Sequence, residues 1–101
     1  MQARSTLQRN KAVKSAFASK VAVIPGVHGA YAKESPDGTL HLWTVVGKDK
    51  LAVREQIYDA EARLMAEFPE ARLDFYVLTL YIPPDGSVEK AIPTGFSKVA
   101  A

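Results

Sequence analysis

Residues 27–47 read VHGAYAKESPDGTLHLWTVVG and decide the fold, because two strand-like segments flank a turn. The turn is Ser35-Pro36-Asp37-Gly38, in which proline presets φ, aspartate can bond its own backbone and glycine tolerates a positive φ. In 39–47, apolar or β-branched side chains recur at every second position, which is the period of a strand. The stretch therefore predicts a β-hairpin with strands at 27–34 and 39–47.

The register of this hairpin determines which side chains are buried. If Glu34 pairs with Thr39, alternate residues fall on two faces. The more apolar face is predicted to pack on the core and contains Val27, Tyr31, Leu40, Leu42, Thr44 and Val46. The opposite face is predicted to stay uncovered and contains His28, Ala30, Ala32, His41, Trp43 and Val45.

A helix is predicted on the N-terminal side of the hairpin, over residues 5–24. Ser5 or Thr6 can cap it, and Pro25-Gly26 ends it because proline disfavours helix in the preceding residue. Apolar residues recur at helical spacing and predict a buried stripe of Val13, Phe17, Val21 and Ile24.

A second helix is predicted over residues 49–68, with Asp49 as its cap and Pro69 as its stop. Its buried stripe is Val53, Ile57, Ala60, Leu64 and Phe68. Residues 73–82 follow and predict a strand, because they are rich in aromatic and β-branched side chains.

Together these elements predict an α+β fold of αββαβ order. A strand, helix and strand in succession form a right-handed unit with parallel strands. The expected result is a three-stranded mixed sheet with two helices packed on one face, which is a ferredoxin-like arrangement lacking its first strand. Residues 1–82 are predicted to form this single domain, and 83–101 a C-terminal tail that docks on the sheet or on a protein partner.

The composition is that of an ordinary soluble globular domain, with 48% apolar and 24% charged residues among 101. The chain has no cysteine, which excludes disulfides, thiol catalysis and thiolate metal ligands. No apolar run approaches the roughly 18 residues that would span a bilayer, and no secretion signal is evident. We expect a cytoplasmic protein with no membrane association.

Charge is distributed unevenly along the chain. The net charge is +2, but the first 33 residues carry +6 and the remainder −4. One interpretation is a nucleic-acid surface on the first helix, with contacts from Arg9, Lys11, Lys14 and Lys20. The interpretation we favour is that the basic segment lies against the acidic one within the fold, because six charges over this length make no dense patch.

No catalytic or metal-binding motif emerges from the spacing. His28 and His41 share a predicted face, but their positions in the hairpin are roughly 13 Å apart, too far to share an ion. The serines fall in predicted caps, turns or the tail, and no Ser–His–Asp set is predicted. We therefore expect a non-enzymatic protein with no cofactor and no metal site.

The main functional hypothesis concerns the uncovered face. An exposed tryptophan among small residues is unusual unless something covers it. We predict that the chain forms a homodimer through this face or through strand edges, with an interface of Trp43, His41, Val45, Tyr76 and His28. The alternative cover is the chain's own tail, through Ile92 and Phe96.

A second functional hypothesis is a nucleic-acid-associated or toxin–antitoxin-type partner protein that uses the basic helix.

Several motifs resemble the cytoplasmic C-terminal domain of cation diffusion facilitator transporters. They are Ile24-Pro25-Gly26-Val27-His28-Gly29, the hairpin, the helix from Ile57 to Phe68-Pro69, and Asp74-Phe75-Tyr76-Val77. The resemblance covers roughly residues 13–80 and implies a dimerising regulatory domain, in some members metal-binding. Tyr76 stands where that family tends to place a metal-binding histidine. The resemblance therefore implies the fold and the tendency to dimerise, without the metal.

Overall fold

The computed structural model describes residues 2–48, 50–80 and 91–100, with side chains described from residue 8 onward. Six elements follow one another: α1 (Gln2–Ala22), β1 (Val27–Glu34), β2 (Leu40–Val46), α2 (Leu51–Glu67), β3 (Leu73–Thr79) and β4 (Ser97–Ala100). The predicted α+β class and the αββαβ order of the first five elements are confirmed. Within the described part of the chain, neither helix is long and apolar enough to cross a membrane.

The sheet has four strands rather than the predicted three, in the order β3-β2-β1-β4. β1 and β2 pair antiparallel, β2 and β3 pair parallel, and β4 pairs antiparallel with the free side of β1. β4 was not predicted because a four-residue segment, Ser-Lys-Val-Ala, is too short to show a strand period.

The predicted hairpin register is wrong by one residue. Glu34 pairs with Leu40, not with Thr39. The Ser35 N–H donates to the Thr39 carbonyl at 2.8 Å, so the turn closes on these two residues and leaves three between them. The prediction assumed four residues in the turn. One residue fewer in the loop changes which side chains share a face.

The corrected register moves three side chains to the other face. Ala30 and Ala32 lie on the face that packs against the helices, and Tyr31 lies on the opposite face. His28 sits at an irregularity between Val27 and Gly29. This bulge returns Val27 to the helix side, where the analysis expected it together with Leu40, Leu42, Thr44 and Val46.

Both helices pack on one face of the sheet, and their predicted apolar stripes form most of the core. The buried apolar residues of the two helices and of the turn just after α1 are Val13, Phe17, Val21, Ile24, Ile57, Ala60 and Leu64. An ion pair between Lys20 and Glu67 at 2.9 Å joins the helices. The cap of α2 is Lys50, without a side-chain hydrogen bond, rather than the predicted Asp49, which lies outside the described residues.

Candidate interaction site

The sheet face opposite the helices, called the second face below, is partly covered by the C-terminal segment. Tyr31 and Val45 are 3% and 0% exposed there. The residues packed around them are Trp43, Leu78, Leu80, Ile92 and Phe96. Ile92 and Phe96 lie C-terminal to residue 82, where the domain was predicted to end. The chain itself therefore covers part of the surface that the sequence analysis assigned to a dimer.

Trp43 is half-buried between two other rings on the second face. Its ring centroid lies 4.8 Å from that of Phe96 and 4.6 Å from that of Tyr76, both in tilted geometry. The Lys33 ammonium lies 6.0 Å from the centroid of Phe96. Tyr76 is 48% exposed. Trp43 thus lies between the two rings, and Tyr76 is the most exposed of the three.

β3 forms one end of the sheet, so one side of its backbone faces away from β2. The Arg72 carbonyl accepts from Leu40 and the Leu80 N–H donates to Val46, both across to β2. Because backbone groups alternate along a strand, those of residues 73, 75, 77 and 79 point outward. No strand among the described residues pairs with this outer edge.

The outer edge of β3 lacks the features that usually protect an edge strand. It has seven residues, with Asp74 as its one charge, no lysine, no proline and a regular pairing with β2. Natural edges are typically shortened, bulged or furnished with lysine or proline to prevent pairing. The other end of the sheet, β4, has four residues and includes Lys98. The two ends therefore differ in their capacity to pair.

A cavity of about 410 Å³ lies where α2 meets this edge. Its lining residues are Arg54, Tyr58, Glu61, Phe75, Tyr76 and Val77. Arg54 donates to the Tyr58 hydroxyl at 3.0 Å and to the Thr79 hydroxyl at 3.4 Å. The Tyr58 side chain is 50% exposed beside the cavity, whereas the Tyr76 ring, which is 48% exposed, lies on the second face next to Trp43.

Glu61 is the buried acid of this cavity. It is 8% exposed, and its Oε2 atom is buried with no hydrogen-bond partner among the described residues. Burial raises the pKa of Glu61 from 4.5 to about 7, because the charged form loses hydration. The folded chain thus holds this proton to higher pH than the unfolded chain. Glu61 therefore lowers the stability progressively as the pH rises from about 4.5 to about 7.

A hydrogen-bonded chain of Ser35, His41 and Asp74 corrects the expectation that no Ser–His–Asp set exists. The Ser35 Oγ lies 2.6 Å from His41 Nε2, and His41 Nδ1 lies 3.0 Å from Asp74 Oδ2. His41 and Asp74 are neighbours because they are register partners of β2 and β3. The three side chains border a cavity of about 320 Å³ that Trp43 and Phe96 also line.

The hydrogen-bonded set of Ser35, His41 and Asp74 lacks two features that acyl transfer requires. The Ser35 N–H is taken by the Thr39 carbonyl, and the next residue, Pro36, has no N–H. Neither Ser35 nor Pro36 therefore offers a backbone N–H that could stabilise an oxyanion at Ser35. The Asp74 side chain is 63% exposed, whereas the acid of a catalytic triad is buried. The contacts instead join the hairpin turn to β3.

The other predicted site residues lie apart from this edge. His28 lies at the opposite end of the hairpin from His41 and lines a cavity of about 470 Å³ with Lys48 and Lys50. No three histidine or acidic side chains of the described residues come together as a metal site. The predicted nucleic-acid contacts Arg9, Lys11, Lys14 and Lys20 belong to α1, and the sheet separates α1 from Trp43. The basic side chains of α1 and the stacking rings therefore do not converge on one surface.

No protein-family model, curated protein or solved structure matches this chain. The resemblance to the cation diffusion facilitator domain therefore stays a prediction.

Two members of the site, Glu61 and Tyr58, were not predicted from the sequence, and residue spacing could have indicated only Glu61. Glu61 lies four residues after Ile57 and three before Leu64, so it falls within the predicted apolar stripe. An acid in such a stripe is a signal of a buried carboxyl. Tyr58 gave no such signal, because its exposure beside β3 depends on how α2 packs on the sheet.

Proposed function

We propose that this chain is a non-enzymatic protein-interaction domain that self-associates through the outer edge of β3. The observation that supports it is a seven-residue edge, Leu73–Thr79, that pairs with no other strand of the described residues and has no protective feature other than Asp74. Pairing with a second copy would satisfy the outward backbone groups and cover the half-exposed Tyr58 and Tyr76. Edge pairing of this kind supplies main-chain hydrogen bonds, while the flanking side chains supply specificity.

The arrangement that best uses this edge is antiparallel, with a two-fold axis at Tyr76, the central residue of the strand. Phe75 of one copy then pairs with Val77 of the other, and both have outward backbone groups. Asp74 lies opposite Leu78 of the other copy, so no like charges face each other. The full length of both strands overlaps in this register.

The predicted interface residues take different roles in this proposal. Tyr76 of one copy lies opposite Tyr76 of the other copy across the two-fold axis. Within each copy, the Tyr76 ring packs on Trp43, with 4.6 Å between the ring centroids. Val45 is fully buried within the chain, so it stabilises the second face rather than the contact. His41 contributes indirectly, because its hydrogen bond to Asp74 holds the hairpin turn against β3. His28 lies at the far end of the hairpin and has no part in the contact.

Complementary charges at the axis test this proposal. We expect Tyr76→Asp and Tyr76→Lys each to weaken self-association by about tenfold or more, because like charges would then lie opposite each other and an aromatic pair would be lost. Mixing the two variants in equal amounts should restore association as a heterodimer. Sedimentation equilibrium measures the molecular mass in each case.

The matched control is the same pair of substitutions at Val23, which is 79% exposed and lies beyond the end of α1. Val23→Asp and Val23→Lys should associate as the unmodified chain does. An unmodified chain that stays monomeric at high concentration would contradict the proposal. So would Tyr76 variants whose mass equals that of the Val23 controls.

One observation favours a second candidate function, a serine hydrolase: the chain of Ser35, His41 and Asp74. The occupied Ser35 N–H and the proline that follows it argue against this function. We expect a fluorophosphonate probe to leave Ser35 unmodified, measured by intact mass and peptide mapping beside an active serine hydrolase. Modification at Ser35 that is lost in His41→Ala would establish the hydrolase instead.

A further inference from the structure

We propose that proton uptake by Glu61 controls the self-association of this chain. This inference rests on the proposed function and adds a means of regulating the same site. It follows from the position of the α2–β3 cavity relative to the outer edge of β3 and from the burial of the carboxyl within that cavity.

The cavity lies at the level of the proposed two-fold axis. Its β3 residues are 75–77, and the axis passes through Tyr76 at their centre. In an antiparallel pair of edges, the equivalent cavities of the two copies therefore meet side by side. Association closes them from solvent and brings two Glu61 carboxyls into one enclosed region.

The groups around Glu61 offer the charged form little compensation. The charged and titratable residues that line the cavity are Arg54 and Tyr58 from α2 and Tyr76 from β3, whose ring lies on the second face. Arg54 already donates to the hydroxyls of Tyr58 and Thr79. The other two residues from β3, Phe75 and Val77, are apolar. Closing the cavity over two carboxylates would bury like charges, whereas two neutral carboxylic acids can be enclosed at much lower cost.

The direction of the effect follows from this cost. Burial within one copy already raises the pKa of Glu61 to about 7, and removing more water raises it further. The associated form therefore holds more protons than the separate chains near neutral pH. Linkage then requires that association weakens as the pH rises through and above about 7.

The experiment is the dissociation constant of the unmodified chain, measured by sedimentation equilibrium near pH 6 and near pH 8.5. We expect it to rise by about tenfold or more at the higher pH. Glu61→Gln should associate equally at both pH values, because glutamine keeps the shape but carries no charge. Glu55→Gln, an exposed acid on the same helix, is the matched control and should respond to pH as the unmodified chain does.

A second neutral variant, Glu61→Met, guards against a specific effect of the amide, and circular dichroism establishes that each variant is folded. If Glu61→Gln and Glu61→Met weaken with pH as much as the unmodified chain, Glu61 is not the controlling group. That result would overturn this inference and leave association through β3 standing. If no variant associates at either pH, the proposed function itself fails.

Discussion

Replacing Phe17 with alanine is expected to lower the free energy of unfolding by about 3–5 kcal/mol. Phe17 is 1% exposed and belongs to the core between the helices and the sheet. Alanine would leave a cavity there, because the neighbouring strands and α2 cannot close over the missing ring without breaking their own contacts. A domain of this size has a total stability of roughly 5–15 kcal/mol, so the variant should lose much of it.

Urea denaturation followed by circular dichroism measures this loss. Val23→Ala serves as the control, since Val23 is 79% exposed and its truncation should change the stability by less than about 0.5 kcal/mol. A loss at Phe17 no greater than that at Val23 would contradict the packing described for α1.

Ending the chain at residue 90 is expected to lower the stability by about 2–4 kcal/mol while leaving a folded domain. The truncation removes β4 and its pairing with β1, and takes Ile92 and Phe96 away from the second face. Trp43 then loses the ring 4.8 Å from its own and gains exposure to water. The tryptophan emission should therefore shift to longer wavelength.

Fluorescence and thermal unfolding together measure the effect of the truncation. Phe96→Ala should reproduce the emission shift with a smaller loss of stability, since β4 stays in place. Thr94→Ala, at an exposed position of the same segment, should change neither property. An emission maximum that is unchanged in both the truncated chain and Phe96→Ala would contradict the cover of the second face.

Periodicity was sufficient to predict most of the fold. The bounds of β1 were predicted as they stand, and the stripe of Val13, Phe17 and Val21 is buried as expected. These features depend on one segment and its burial on one side. The hairpin register could not be predicted in this way. It depends on whether the turn closes on Ser35 and Thr39, as observed, or on Glu34 and Thr39, as predicted. A single backbone hydrogen bond therefore decided the positions of Ala30, Tyr31 and Ala32.

The candidate site was less predictable, because it depends on contacts between distant segments. His41 meets Asp74 only through the register of β2 with β3, which hydrophobic pattern does not specify when both faces are apolar. The half-exposed state of Tyr76 depends on β3 lying at the end of the sheet. That position in turn depends on β4 adding to β1 rather than to β3. A four-residue strand near the C-terminus thus decides which edge stays available.

The strand order also limits how large an assembly can grow. Head-to-tail addition would require the outer edge of β3 to match that of β4, but β4 is three residues shorter than β3 and carries Lys98. Pairing of two β3 edges is isologous. It occupies the β3 edge of both copies and leaves their two short β4 edges at the ends of the combined sheet. The association that we propose through β3 would therefore be self-limiting and stop at two chains, without the continuous sheets that fibrils require.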